Sequence, residues 1–418
     1  MEDTKKYWVW LQSCIGYGSP KINTVLRFYP SIVDFYNGGE MEWRLCGCFT
    51  KKEFENLCTH TLEQAEKVID KCNALGYTIL TPDMSTYPQL LKEIYDPPAV
   101  LYVYGQLPDV DNTLSIAMVG TRNATTSGKK LSYSIAFDLA NSGVNVISGG
   151  ALGIDSSAHS GALMAGGKTV CVLGCGINSN YLMSNASMRA QIAKTGAVVS
   201  EYPPDYQATK YTFPKRNRII SALSQGVLVV EAGEKSGALI TASTALEQNK
   251  DIFAIPGDVT NAVAFGTNKL IKQGAKPITT AGDIIEEYTN KYSLILSEPL
   301  PISEISDNII NSIPSGRKRP ISVNDINSKK SVGILNTKNG TTINNSINNK
   351  VNVKEKKLLT DVSDDAKIIY DIIFESDLTV DDIIIKTKLP VNKVMQAVTE
   401  LEIEEIITRK SGGVISAL

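Results

Sequence analysis

The sequence predicts an α/β protein: a doubly wound, mostly parallel sheet, with a small helical domain before it and a winged helix after it. Between residues 76 and 290, apolar runs of strand length alternate with helical stretches. Residues 1–75 show helical periodicity interrupted by glycine and proline. Residues 361–418 show three helical patterns and then a hairpin pattern. Residues 291–360 lack periodicity and predict a flexible Asn/Ser-rich linker.

Short apolar runs define the central domain. Nearly continuous apolar strands separated by helices are typical of a parallel sheet that is covered on both faces. Tyr77–Leu80 and Val100–Val103 predict edge strands that lead into it. Because ligands bind beyond the carboxyl ends of such strands, function is expected in the residues that follow each run. The runs are Ser115–Val119, Val144–Ile147, Thr169–Leu173, Ala197–Val199, Gly226–Val230 and Asp251–Ile255.

The two ends of the chain predict helical modules. In the N-terminal one, the turn Ile15–Ser19 either offers backbone N–H groups to phosphate or simply connects two helices. At the C-terminus, the third predicted helix, Val391 to Glu405, carries Lys393 but also Glu400, Glu402, Glu404 and Glu405. Because these carboxylates would repel duplex phosphate, a protein-contact role is favoured over insertion into a DNA groove.

Composition limits the function classes. Lys+Arg 42 against Asp+Glu 44 gives a net charge of -2, so any nucleic-acid contact must come from local basic clusters. The N-terminus lacks the apolar core of a secretion signal and no long apolar run follows, which predicts a cytoplasmic protein without membrane contact. The seven cysteines predict reduced, buried thiols. Cys46, Cys48, Cys58 and His60 lack the common zinc spacing, so no metal is expected.

Phosphate-binding features follow several of the predicted strands. Gly120-Thr121-Arg122 lies between a strand and a helix, where N–H groups and the helix dipole favour an anion and Arg122 adds a forked donor. Ser236, Gly237 and Thr241 form a second such helix start. The glycines of Ser148–Asp155 either approach a ligand or allow close packing of strand and helix. They do not match a dinucleotide fingerprint, and no cofactor is expected.

The densest basic cluster is Phe213–Ile220, which contains Lys215, Arg216, Asn217 and Arg218. Cations beside the aromatic Phe213 supply phosphate neutralisation and a face on which a base can stack. Catalytic groups are few, and His159 has only Asp155 as a nearby partner in the sequence. The favoured interpretation is that Asp155 caps the helix and that His159 forms a structural hydrogen bond. The sequence therefore predicts binding without catalysis.

In order and spacing, the motifs over residues 80–290 resemble those of the DNA-processing protein A (DprA/Smf) family. They are Val119–Arg122, Ser148–Asp155, Ala158-His159, Ser200–Pro203, Phe213–Ile220, Val229–Ala232, Ser236–Ala242, Pro256-Gly257 and Gly266–Asn268.

The resemblance implies an extended Rossmann-like domain that binds single-stranded DNA and forms homodimers. It also implies loading of the RecA recombinase, on strands coated by single-strand-binding protein, during natural transformation. The N-terminal part resembles the family's sterile-alpha-motif-like domain. By motif match, the implied DNA contacts are Arg122, Lys215, Arg216, Asn217 and Arg218, with Gly120, Thr121, Phe213, Ser236 and Thr241 as pocket walls.

Two other hypotheses stay open at this point. The same glycine-rich rim could hold a nucleotide, as in an enzyme or sensor related to the nucleoside-monophosphate phosphoribohydrolases, although Glu231–Glu234 matches their motif only in part. Alternatively, the chain is a scaffold whose terminal domains contact partners.

Overall fold

A computed structural model describes residues 4–292 and 299–316, together with 363–375, 378–387, 389–390, 393–394, 397–398, 400–401, 406–409 and 414–417. The chain divides into two compact units, Met1–Asp325 and Ile326–Leu418, and each is described by itself. In the described part of the chain, no helix is both long and apolar enough to cross a membrane.

The N-terminal helices are α1 (Lys5–Ile15), α2 (Lys21–Phe28), α3 (Ile32–Cys46), α4 (Lys51–Thr59) and α5 (Leu62–Ala74). Their apolar sides bury an aromatic core that includes Trp8, Trp10 and Phe35. Helix α4 begins at a capping box, because Thr50 and Glu53 satisfy each other's backbone N–H groups. Helix α3 is kinked where Gly39 has a φ of 67°, a conformation that favours glycine.

The large unit is built on a sheet that, in the described part of the chain, has nine strands in the order β1-β2-β6-β5-β4-β3-β7-β8-β9. β1 and β2 pair antiparallel, as does β2 with β6, and the remaining neighbours are parallel. The strands are β1 (Thr78–Leu80), β2 (Leu101–Gly105), β3 (Ser115–Val119), β4 (Asn145–Ser148), β5 (Thr169–Leu173), β6 (Ala197–Ser200), β7 (Gly226–Val229), β8 (Asp251–Ala254) and β9 (Lys276–Pro277).

Helices cover both faces of this sheet. Along β3, Ile116 and Met118 belong to the apolar cluster on one face, whereas Ala117 and Val119 belong to the cluster on the other. This alternation with both faces buried confirms the predicted doubly wound fold. The helices are α6 (Gln89–Lys92), α7 (Thr126–Asn141), α8 (Ile154–Met164), α9 (Ala186–Thr195), α10 (Thr212–Ala222), α11 (Gly237–Glu247), α12 (Phe265–Lys272), α13 (Gly282–Ile285) and α14 (Asp307–Ser312).

The flexibility predicted for residues 291–360 does not extend to residues 299–316. This stretch contains α14 and packs Ile305, Ile310 and Ile313 against Tyr133 of α7. Burial of several isoleucine side chains offsets the entropy cost of ordering a short polar segment. The rest of the predicted linker, residues 317–360, lies outside the described residues, and the four-domain boundaries stay a prediction.

The C-terminal unit contains helices Asp364–Glu375 and Val380–Thr387 and a small sheet of β10 (Leu378–Thr379), β11 (Ile407–Arg409) and β12 (Val414–Ala417). β11 and β12 pair antiparallel, which confirms the predicted hairpin and, with the helices, the winged-helix arrangement. The described residues of the third predicted helix are helical. Its Glu402, Glu404 and Glu405 lie outside the described residues.

The cysteines follow the prediction in part. Cys14, Cys72, Cys171 and Cys175 are buried, as expected, but Cys58 is exposed because its helix presents it to solvent. Cys46 and Cys48 are half-buried, with their sulfur atoms 3.4 Å apart. Among the described residues, no group of three or more His, Cys, Asp or Glu side chains could hold a metal ion.

Candidate nucleic-acid interface

A cavity of about 390 Å³ opens at the carboxyl ends of the central strands. From β3 the chain continues to β4 on one side, whereas β7 pairs with β3 on the other side. Loops that diverge in this way leave a crevice, which is where ligands bind in open α/β sheets. The predicted site residues that line it are Gly120, Thr121, Arg122, Phe213, Arg216, Asn217, Ser236 and Thr241.

Arg122 presents an available positive charge at the mouth of the cavity. Its side chain is exposed, and its guanidinium carbon lies 5.2 Å from the ring centre of Phe213. Within the described residues, no carboxylate lies at salt-bridge distance from it. The turn that carries Arg122 is fixed, because the Thr121 N–H donates to the Glu231 carbonyl at 2.8 Å. Arg122 is therefore placed to meet an anionic ligand.

Gly120 is required for packing. A Cβ atom at this position would lie 2.6 Å from the Ile154 side chain and 2.9 Å from the Glu231 carbonyl oxygen. Close approach of the chain to Ile154 and Glu231 therefore explains Gly120. Gly150 has a φ of 65°, so the turn after β4 also needs a glycine.

Arg216 lies in the cavity wall but is held by the protein. Its Nη1 donates to the Gly149 carbonyl at 2.6 Å and to the Val172 carbonyl, and burial lowers the pKa of its guanidinium. Asp155 lies close to it, and burial raises the pKa of the Asp155 carboxyl while the charge of Arg216 opposes that rise. Arg216 thus contributes fixed positive charge, with Asp155 as its nearest counter-charge.

Arg218 lies on a different side of α10 and is absent from the cavity lining. Its Nη2 lies 2.7 Å from Glu201 Oε1, and its Nε lies 3.0 Å from Asp96 Oδ2. Because its side chain is only 5% exposed, its charge is committed to these carboxylates. The structure therefore assigns Arg218 to the fold of α10, not to the cavity.

The glycine turn of the N-terminal helices docks onto the same part of α10. The Gly18 N–H donates to Glu201 Oε1 at 2.9 Å, and Lys215 Nζ donates to the Tyr17 carbonyl at 2.9 Å. Of the two interpretations of this turn, the helix connection fits, because the Gly18 N–H is already used. Lys215 itself is exposed and lies beside the cavity rim, next to the lining residue Pro214.

The aromatic wall has a member that the sequence did not indicate. The ring of Phe213 packs against Tyr181, with centres 5.2 Å apart and planes at 46°. Asn217 Oδ1 accepts from Arg216 Nε at 3.2 Å, which leaves its amide NH₂ group to face a ligand. No local pattern in the sequence marks Tyr181 as the neighbour of Phe213.

The start of α11 completes the cavity. Ser236 caps this helix by accepting from the Ala238 N–H at 3.3 Å, and Thr241 lines the wall one turn later with its side chain buried. The first N–H groups of a helix, with the positive end of its dipole, favour an anionic oxygen.

The side chains considered for catalysis are engaged in structural bonds. His159 Nδ1 lies 2.8 Å from Thr169 Oγ1 and not beside Asp155, and burial lowers the pKa of His159 to about 3. Glu231 accepts from the N–H and the hydroxyl of Thr125 and so holds the start of α7. His159 is fully buried, and the Glu231 carboxylate is already bonded to Thr125.

The fold and the cavity define a Rossmann-like protein with a crevice lined by basic, aromatic and hydroxyl side chains, and a winged helix. The family model described as DNA recombination-mediator protein A matches residues 78–289, and the model described as DprA winged helix domain matches residues 354–413. The chain belongs to the DprA/Smf family of DNA-processing proteins, which confirms the resemblance found in the sequence.

Individual relatives agree with this assignment. The chain is 44% identical over 212 residues to DNA processing protein DprA of Bacillus subtilis, an alignment that covers 51% of this chain and 71% of that protein. It is 34% identical over 336 residues to Protein Smf of Synechocystis, across 80% of this chain and 78% of that protein. The crystal structure of DNA processing protein A from Streptococcus pneumoniae superimposes with a TM-score of 0.61 at 32% identity, covering 69% of this chain and 99% of that one.

Proposed function

We propose that this chain binds single-stranded DNA in the cavity at the carboxyl ends of β3, β4 and β7, and does no chemistry on it. The observation that carries the proposal is the exposed Arg122 guanidinium beside the Phe213 ring at the mouth of that cavity. A cation and an aromatic ring at this spacing are suited to one nucleotide unit, with its phosphate on the cation and its base near the ring.

The shape of the site favours single strands over duplexes. A duplex keeps its bases paired and stacked, and proteins read it by inserting a helix or ribbon into a groove. Here the basic and aromatic groups line a concave cavity, so only an unpaired strand brings a phosphate and a base into it together. Arg122, Gly120, Thr121, Phe213, Asn217, Ser236 and Thr241 are the proposed contacts, with Lys215 at the rim and Arg216 as fixed charge in the wall.

Family membership supports a wider role. We propose a recombination mediator that acts as a cytoplasmic homodimer and loads RecA onto single strands coated by single-strand-binding protein during DNA uptake. Because binding has to be reversible for the strand to pass to a recombinase, exchangeable phosphate contacts suit this role better than covalent chemistry. The winged helix is proposed to contact a protein partner.

The alternative, a nucleotide-cleaving enzyme, has less support. It would need an acidic residue free to act on the ribose, whereas Glu231 is bound to Thr125 at the start of α7. Incubation with nucleoside monophosphates should release no free base. Release that disappears in Glu231→Gln would revive the enzyme hypothesis.

The proposal is tested by fluorescence anisotropy of a labelled oligo-dT and of a matched duplex, each at two salt concentrations. The single strand should bind more tightly, and the logarithm of its affinity should fall with the logarithm of salt by about 0.7 for each phosphate neutralised. Equal affinity for the duplex, or affinity that does not depend on salt, would overturn the proposal.

A further inference from the structure

Residues 299–316, here called the strap, pack along α7. The strap lies outside both matched family regions, which end at residue 289 and begin again at residue 354. Its Ile305, Ile310 and Ile313 are buried in one cluster with Tyr133 of α7. The neighbouring Ile309, on the same helix, is 37% exposed, whereas Ile310 is 1% exposed.

Polar bonds fix the strap as well. Lys129 of α7 is buried, and its ammonium donates to the Ile313 carbonyl at 2.7 Å and to the Ile310 carbonyl at 3.4 Å. Asp138 Oδ1 accepts from the Leu300 N–H at 2.8 Å. A buried ammonium is costly without acceptors, so the strap carbonyls and Lys129 stabilise one another.

The end of the strap bonds directly to the main chain of the cavity loops. The Gly316 N–H donates to the Arg122 carbonyl at 2.9 Å, and the Gly153 N–H donates to the Pro314 carbonyl at 2.9 Å. Among the described residues, none of the strap lines the cavity, which means that it supports these loops from outside.

We propose that the strap is a positioning element of the DNA site, which holds the Arg122 turn and the start of α8 in their binding geometry. The proposal rests on the proposed function above. A turn that is ordered before the ligand arrives loses less conformational entropy on binding. The bond from Gly316 adds to the bond between the Thr121 N–H and the Glu231 carbonyl in ordering the main chain at Arg122, whose side chain contacts the Phe213 ring.

The matched pair Ile310→Asp and Ile309→Asp tests the proposal in the full chain. Ile310→Asp puts a charge into the apolar cluster and should release the strap, whereas Ile309→Asp puts the same charge at an exposed position. Hydrogen exchange should rise in residues 299–316 and in the Arg122 turn for Ile310→Asp alone. Affinity for oligo-dT should fall roughly threefold to tenfold, as expected for the loss of one or two ordering hydrogen bonds. Lys129→Met, which removes the ammonium, should act in the same direction.

Combination with Arg122→Glu separates positioning from general damage. If the strap acts through Arg122, Ile310→Asp should cause no further loss of affinity in the Arg122→Glu background. The proposal would be overturned if a variant showed faster hydrogen exchange in the strap but bound oligo-dT with unchanged or higher affinity. It would also be overturned if neither Ile310→Asp nor Lys129→Met changed hydrogen exchange in the strap and the Arg122 turn. If Arg122→Glu alone had no effect on oligo-dT, the proposed function would fail instead, while the exchange measurements would still report on the strap.

Discussion

Arg218 Nη2 lies 2.7 Å from Glu201 Oε1, and the two side chains are 5% and 2% exposed. This ion pair lies inside the protein beneath α10, where the same Glu201 oxygen also accepts from the Gly18 N–H of the N-terminal helical domain. A basic helix that looks uniform in sequence is therefore divided between support of the fold and the candidate DNA site.

The first prediction concerns the stability of this pair. Arg218→Met leaves the Glu201 carboxylate buried without the guanidinium that lies 2.7 Å from it, so the free energy of unfolding should fall by about 3–5 kcal/mol. Lys215→Met, three residues earlier on α10 and exposed, loses one hydrogen bond to the Tyr17 carbonyl and should lower it by only about 1 kcal/mol or less. Urea unfolding followed by circular dichroism measures both. An equal effect of the two substitutions would contradict the assignment of Arg218 to the core.

The second prediction concerns acid stability. Burial lowers the pKa of His159 from 6.5 to about 3, so the folded state keeps the imidazole neutral while the unfolded chain binds a proton below pH 6.5. The contribution of His159 to stability is therefore present above pH 6.5 and is lost as the pH falls towards 3. Between pH 6 and 4, protonation of His159 in the unfolded chain should lower the free energy of unfolding by about 1.4 kcal/mol for each pH unit.

The matched variant for this measurement is His159→Asn, which keeps a donor for Thr169 but does not titrate. The slope of the free energy of unfolding against pH gives the number of protons that the chain takes up on unfolding. In His159→Asn this number should be smaller by about one than in the unsubstituted protein. Parallel pH profiles would show that His159 is protonated in the folded protein.

The third prediction concerns the aromatic wall. Phe213→Ala removes the ring that faces Arg122 and should weaken oligo-dT binding by about 1–3 kcal/mol, the range for one stacked base. Phe213→Tyr should retain most of the affinity. Phe28→Ala serves as the control, because Phe28 is 65% exposed on α2. Isothermal titration calorimetry distinguishes these variants, and full affinity in Phe213→Ala would exclude base stacking on this ring.

The sheet could be predicted because its signal is local. Runs such as Ser115–Val119 and Thr169–Leu173 are continuously apolar, and the observed strands β3 and β5 have these bounds. The two-residue strand β9 was missed, since Lys276-Pro277 carries no apolar signal. The order within residues 299–316 was also missed, because the three isoleucines that are buried cannot be told from the other two until Tyr133 is known to face them.

The candidate site could be predicted only as a set of loops. Because ligands bind beyond the carboxyl ends of parallel strands, Arg122, Phe213 and Ser236 were predicted to lie at one edge of the sheet. All three line the cavity. The burial of Arg218 was not predictable, because it depends on Glu201 and Asp96, which lie outside α10 in the sequence. Tyr181 was missed for the same reason.

The central claim, that single-stranded DNA binds at Arg122, is tested most directly by Arg122→Glu against Arg27→Glu, an exposed position on α2 with the same charge change. Oligo-dT anisotropy should show a loss of roughly tenfold or more for Arg122→Glu, as expected when a charge-assisted phosphate contact is lost, together with a weaker salt dependence. Arg27→Glu should bind like the unsubstituted protein. Equal, tight binding by Arg122→Glu would contradict the account.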